Sequence, residues 1–108
     1  MNLKKVNAII RCEALEKVER KLQDMGVRGV TVSQVKGFGE YANTYTRNWL
    51  VTHARIEIFT EEIQADAIAE AIIEAAHTGV SGDGMVAILP VDKLLRIRTK
   101  RNACADEL

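Results

Sequence analysis

From Val6 to Ile10 the apolar side chains of Val6, Ala8 and Ile10 occupy every second position, the period of a strand that buries one face. The pattern then changes. Leu15, Val18, Leu22 and Met25 recur at helical spacing, with Glu16, Lys17, Glu19, Arg20 and Lys21 opposite, which predicts an amphipathic helix stopped at Gly26. Gly29 to Val35 predicts a second strand, Val30 and Val32 on one face, Thr31 and Ser33 on the other. His53 to Thr60 predicts a third, where Ala54, Ile56 and Ile58 alternate with Arg55, Glu57 and Phe59. A second helix is predicted over Glu62 to His77, with Ile63, Ala67, Ile68, Ala71, Ile72 and Ala75 as its apolar band and Gly79 as its stop. Met85 to Leu89 predicts a fourth strand, bounded by Pro90, which limits pairing. Leu94 to Thr99 reads as a short extended piece, and the stretch from Asn102 as a polar, frayed tail.

Gly37 to Trp49 fits no period, and it holds both tyrosines and the single tryptophan. It reads as a long exposed loop, the kind that commonly carries function; a hairpin with an extended tip is the alternative. The order of elements is therefore β-α-β, long loop, β-α-β. This predicts a ferredoxin-like α+β sandwich, with both helices on one face of an antiparallel sheet. The other face would be left apolar, so an oligomer that covers it is expected.

A chain of 108 residues is one domain, and 47% apolar content argues against disorder. Aromatic residues are only 5%, so the core must be aliphatic. Fifteen basic residues balance fifteen acidic ones, which leaves no global field to draw nucleic acid. The N-terminal residues lack the apolar stretch of a signal peptide, and no apolar run approaches a membrane span of ~20 residues. The expectation is a soluble cytoplasmic protein.

Candidate chemistry concentrates late in the chain. Thr78-Gly-Val-Ser-Gly-Asp-Gly84 has three glycines in six residues, so backbone N–H groups can converge on an anion; the lysine of a P-loop is missing. Arg96 and Arg98, at alternate positions, would share one face of an extended segment. Glu57 lies mid-strand and needs a partner. Neither His53 nor His77 stands in a nucleophile pattern, and nothing assembles an enzyme.

Four stretches carry a resemblance: Val35-Lys-Gly-Phe-Gly39, Arg55-Ile-Glu-Ile58, Thr78-Gly79 with Gly82-Asp-Gly84, and Leu95-Arg-Ile-Arg-Thr99. In this order and along nearly the whole chain they resemble the PII signal-transduction (nitrogen regulatory protein P-II) family. The resemblance implies a ferredoxin-like homotrimer that binds ATP, ADP or AMP in clefts between subunits and controls a membrane transporter or enzyme through a loop called the T-loop. Carried over, Gly29 and Thr31 would lie near the adenine, and Gly37, Phe38 and Gly39 would form the base of the T-loop, which spans 37–52. Glu57 and Phe59 would line the base pocket. Gly82, Asp83 and Gly84, in the loop 78–84, would cradle phosphates, and Arg96 and Arg98 would reach phosphates across the cleft. Tyr41, Tyr45, Arg47 and Trp49 would contact the partner, exposed Trp and Arg being common at hot spots.

Several positions depart from the family pattern. Met85 replaces a lysine, Tyr41 a glutamine, Glu40 a basic residue and His53 another lysine, and the T-loop is shorter. Fewer cations imply loss of 2-oxoglutarate sensing, as in a divergent PII-like branch associated with metal efflux or other transporters. One rival is a CutA-like metal-binding trimer, with His53, His77, Cys12 and Cys104 as ligands. Another is an enzyme of small-molecule metabolism.

Overall fold

The computed structural model describes residues 2–38, 51–103 and 108. Strand β1 (Leu3–Ile10) leads through a single 3₁₀ turn, Cys12–Ala14, into helix α1 (Leu15–Asp24). Strands β2 (Thr31–Gly37) and β3 (Val51–Glu61), helix α2 (Glu62–Ala76) and strand β4 (Gly84–Val91) follow. The two-residue strands β5 (Leu95–Arg96) and β6 (Arg101–Asn102) pair with each other. The main sheet has the order β2-β3-β1-β4, antiparallel throughout. This is the ferredoxin-like arrangement expected from the element order.

One set of alternating positions makes the core. Val6, Ala8 and Ile10 of β1 and Ala54, Ile56 and Ile58 of β3 are buried beneath Val18 and Leu22 of α1 and Ile68 and Ile72 of α2. Each fully buried aliphatic side chain contributes about 1.5–3 kcal/mol. The buried band of α2 is Ala65, Ile68, Ala69, Ala71, Ile72, Ala75 and Ala76, so Ile68, Ala71, Ile72 and Ala75 of the predicted band are buried, whereas Ile63 is 84% exposed and Ala67 is exposed too. The alanines let the helix backbone approach the sheet, and Ile63 is left outside. Helix α1 ends as predicted. Gly26 takes φ +83, and the Val27 N–H returns to the Leu22 carbonyl at 3.0 Å. Helix α2 ends before Gly79, at Ala76, and Gly79 serves the following loop.

The opposite sheet face differs from the apolar surface expected. The register lines up Leu89, Lys5 and Phe59 in one row, Ala87, Asn7, Glu57 and Thr31 in the next, and Met85, Ile9, Arg55 and Ser33 in a third. The face is mixed because Lys5 and Asn7 of β1 and Arg55 and Glu57 of β3 fall on it. Pro90 is tolerated because β4 is an edge strand, bonded only to β1.

The end of the chain corrects two expectations. Leu94 to Thr99 is not one straight strand. After Arg96 the chain turns, Lys100 takes φ +61 with its N–H on the Arg96 carbonyl at 2.8 Å, and Arg101 comes back opposite Arg96. The start of the predicted tail is held in place: Asn102 pairs with Leu95, and Ala103 is buried with its N–H on the Leu94 carbonyl at 2.8 Å, while 104–107 lie outside the described residues. The strands also reach into the predicted T-loop span, since Gly37 ends β2 opposite Val51 and Thr52 pairs with Lys36.

Candidate functional site

A groove of about 520 Å³ opens where the β5–β6 turn meets β2 and β3. Gly29 and Thr31 form one wall, Glu57 and Phe59 the floor, and Arg96 and Arg98 the far side. Six of the predicted residues, from distant parts of the sequence, therefore line one groove. Arg96 reaches the groove from the end of β5 and Arg98 from the turn that follows, rather than both from one face of a single strand. Glu57 is held there by two cations, Lys5 Nζ at 2.5 Å and Arg55 Nε at 3.3 Å. The hydrogen bond from Lys5 does most to hold the Glu57 carboxyl below its usual range; burial opposes it, and the charges of Lys5 and Arg55 assist. Phe59 is 39% exposed, and the Lys5 ammonium sits 5.9 Å from its ring centroid. A flat, half-open ring beside two guanidinium groups can take an aromatic base and an anion together.

The glycine-rich loop is elsewhere. No residue of 78–84 lines this groove. Gly84 pairs with Ile10, while Glu57 pairs with Asn7, which pairs with Ala87. Glu57 and Gly84 are thus three residues apart along the sheet and two strands apart across it, roughly 10 Å in each direction.

Asp83 organises the loop from inside. Its carboxylate accepts the N–H groups of Thr78 and Gly79, each at 2.9 Å, together with the Thr78 hydroxyl and Arg11 Nε. The Val80 N–H goes to Thr78 Oγ1 at 3.1 Å. His77 Nδ1 lies 4.0 Å from the same carboxylate. Gly82 and Gly84 take φ +103 and +105, and a Cβ on Gly84 would overlap the Ile9 carbonyl oxygen. His53, only 3% exposed, sets Nε2 3.2 Å from the Gly82 carbonyl, which accepts when the ring proton is there. His53 therefore buttresses the loop rather than standing open to an anion.

The Thr78 hydroxyl, more than any other group, pulls the Asp83 carboxyl well below the usual carboxylate range. The Thr78 N–H adds to this, desolvation opposes it, and the Gly79 N–H and Arg11 contribute the rest. Such a group binds fewer protons folded than unfolded, so its stabilisation is complete above its unfolded pKa, about 4, and fades as pH falls. Asp83→Asn should therefore flatten the acid limb of a plot of Tm against pH between about pH 5 and 2. Parallel acid limbs for the two proteins would contradict this.

Gly37 closes β2 and Phe38 is 64% exposed beside it. Gly39, Tyr41, Tyr45, Arg47 and Trp49 lie outside the described residues. Sequence reasoning missed Arg11, the hold of Thr78 on Asp83 and the buttressing role of His53. Arg11 is one charge after a strand, and no spacing announces it. Among the described residues no cluster of three His, Cys, Asp or Glu side chains could hold a metal, and no helix is long and apolar enough to cross a membrane.

The family model described as Nitrogen regulatory protein P-II matches residues 3–101. The nitrogen regulatory protein P-II of Synechocystis is 41% identical over 105 residues, taking in 90% of this chain and 93% of its own length. The P-II protein of Azospirillum brasilense is 36% identical over 105 residues, with the same shares of 90% and 93%. The crystal structure of Arabidopsis thaliana PII bound to citrate superposes with a TM-score of 0.80 at 37% identity, covering 94% of this chain and 89% of that one. The metal-binding alternative finds no support among these relatives.

Proposed function

Because the chain belongs to the nitrogen regulatory protein P-II family, whose name denotes regulation and not catalysis, we propose that it is a nucleotide-sensing signal-transduction regulator, a cytoplasmic homotrimer that holds ATP or ADP in clefts between its copies. One observation supports the reading most: a groove lined by Phe59, Arg96 and Arg98 and a glycine-rich loop, features suited to a base and to phosphates, lie apart within one chain. A second copy, turned so that its loop faces the groove of the first, completes the site. The mixed sheet face supports such packing, because Asn7 Oδ1 is buried there with no hydrogen-bond partner among the described residues.

The roles follow from the chemistry. Phe59 and Thr31 take the base, Arg96 and Arg98 grip phosphate oxygens in charge-assisted pairs, and the backbone of Gly82–Gly84 in the facing copy cradles the phosphates. Gly37 to Gly39 connect the site to the loop that carries Tyr41, Tyr45, Arg47 and Trp49 toward a transporter or enzyme. Nucleotide changes that loop only through its differential affinity for the loop's states. Met85 adds no charge beside the phosphates, and His53 is buried against a carbonyl, so a dicarboxylate such as 2-oxoglutarate finds few cations.

Light scattering and titration calorimetry test the proposal. A trimer that binds ATP or ADP saturably, with no 2-oxoglutarate binding at millimolar concentration, is the expected result. A monomer at micromolar concentration, or no heat with either nucleotide, would refute it.

A further inference from the structure

Arg11 stands outside every group so far assigned to the nucleotide. It follows the last residue of β1 and crosses to the glycine loop, about seventy positions on in sequence. Its Nη2 donates to the Ser81 carbonyl at 2.7 Å and lies 3.4 Å from the Val80 carbonyl, while Nε donates to Asp83 Oδ1 at 3.2 Å. The guanidinium also packs on Gly82, where a Cβ would meet Nη2 at 3.0 Å. One side chain thus holds two successive carbonyls, a carboxylate and a glycine of the same loop.

The consequence lies in peptide geometry. In a planar trans peptide the C=O of one residue and the N–H of the next point in opposite directions. Turning the Val80 and Ser81 carbonyls toward Arg11 turns the N–H groups of Ser81 and Gly82 away from it. The N–H groups of Thr78, Gly79 and Val80 are already taken by Asp83 and the Thr78 hydroxyl. The pair that Arg11 orients is the pair the loop presents outward, and adjacent N–H groups set this way form an anion nest.

We propose that Arg11 is a positioning residue: by holding the Val80 and Ser81 carbonyls it presents the Ser81 and Gly82 N–H groups to the distal phosphates of the bound nucleotide. The proposal rests on the nucleotide reading above. Its signature is dependence on phosphate number. A residue that only supports the fold would affect all nucleotides alike, whereas one that orients the phosphate nest affects those with more phosphates most.

The experiment is calorimetry with AMP, ADP and ATP on the full chain and on Arg11→Ala and Arg11→Lys, with amide NMR of the same proteins. Arg11→Ala should weaken ATP binding by about tenfold, as for one lost charge-assisted hydrogen bond, and change AMP binding by less than about twofold. Arg11→Lys keeps the charge without the fork, so it should restore part of the loss and repeat the graded order should the alanine variant fail to fold. Addition of ATP should shift the Ser81 and Gly82 amide signals in the unsubstituted chain, and much less in Arg11→Ala. Equal losses for all three nucleotides, unchanged ATP affinity, or Ser81 and Gly82 signals that ignore ATP would each overturn the proposal while leaving the nucleotide reading intact. Absence of nucleotide binding by the unsubstituted chain would overturn both.

Discussion

Gly84→Ala is expected to destabilise the fold by about 4 kcal/mol, near the top of what one substitution does. Two costs add. The backbone at Gly84 has φ +105, where an L side chain is strained. The new Cβ would also overlap the Ile9 carbonyl oxygen, which is main chain of the central strand β1 and cannot swing aside as a side chain could. Relief requires β4 to part from β1 where the loop begins. A domain holds only about 5–15 kcal/mol in total, so such a loss should leave the variant marginal. Gly29→Ala is the control: its Cβ would meet nothing within 4 Å and its φ is not positive. Denaturant unfolding of the two variants should therefore diverge widely, and a Gly84→Ala loss under about 1 kcal/mol would show that β1 and β4 are not packed as described.

Arg98→Ala should have the second largest effect, on ligand affinity rather than stability. Arg98 sits in the turn between β5 and β6 and is exposed, so its removal leaves the core untouched. It lines the same groove as Phe59 and Glu57. Loss of one charge-assisted pair to phosphate should weaken ATP and ADP binding by about 1.5–3 kcal/mol, or roughly ten- to a hundredfold. Calorimetry checks this, and unfolding midpoints of variant and parent should coincide. Unchanged nucleotide affinity would remove Arg98 from the site.

Strong local periodicity made much of the fold legible. The alternation through Ile56 and Ile58 and the helical spacing of Val18 and Leu22 each identified buried faces correctly. The band predicted for helix α2 holds at Ile68, Ala71, Ile72 and Ala75 and fails at Ile63 and Ala67, because alanine and isoleucine occur nearly all round the helix and hydrophobicity alone does not fix the edges of its buried face. The strand assumed for Leu94 to Thr99 failed for a related reason. Alternation describes any extended piece, but the turn after Arg96 is set by Lys100 entering the left-handed region and by pairing with Arg101. The groove residues were recognisable only as a combination across the chain. The clamp of Arg11, Thr78, Asp83 and His53 was not, because its members are single polar residues whose meeting depends on how strand ends and loops come together in space.

Mixing subunits tests the central claim, that the site is shared between copies, most directly. Arg98→Ala damages only the groove, and Gly82→Ala, strained at φ +103, damages only the loop. Each variant alone should bind ATP weakly. Refolded together in equal amounts, they should form trimers in which about a quarter of the clefts pair an intact loop with an intact groove from the neighbouring copy. Calorimetry should then recover about that fraction of sites at the parent's affinity. If no tight sites return in the mixture, although the variants have exchanged subunits, the groove and the loop do not meet across an interface, and the shared-cleft account is wrong.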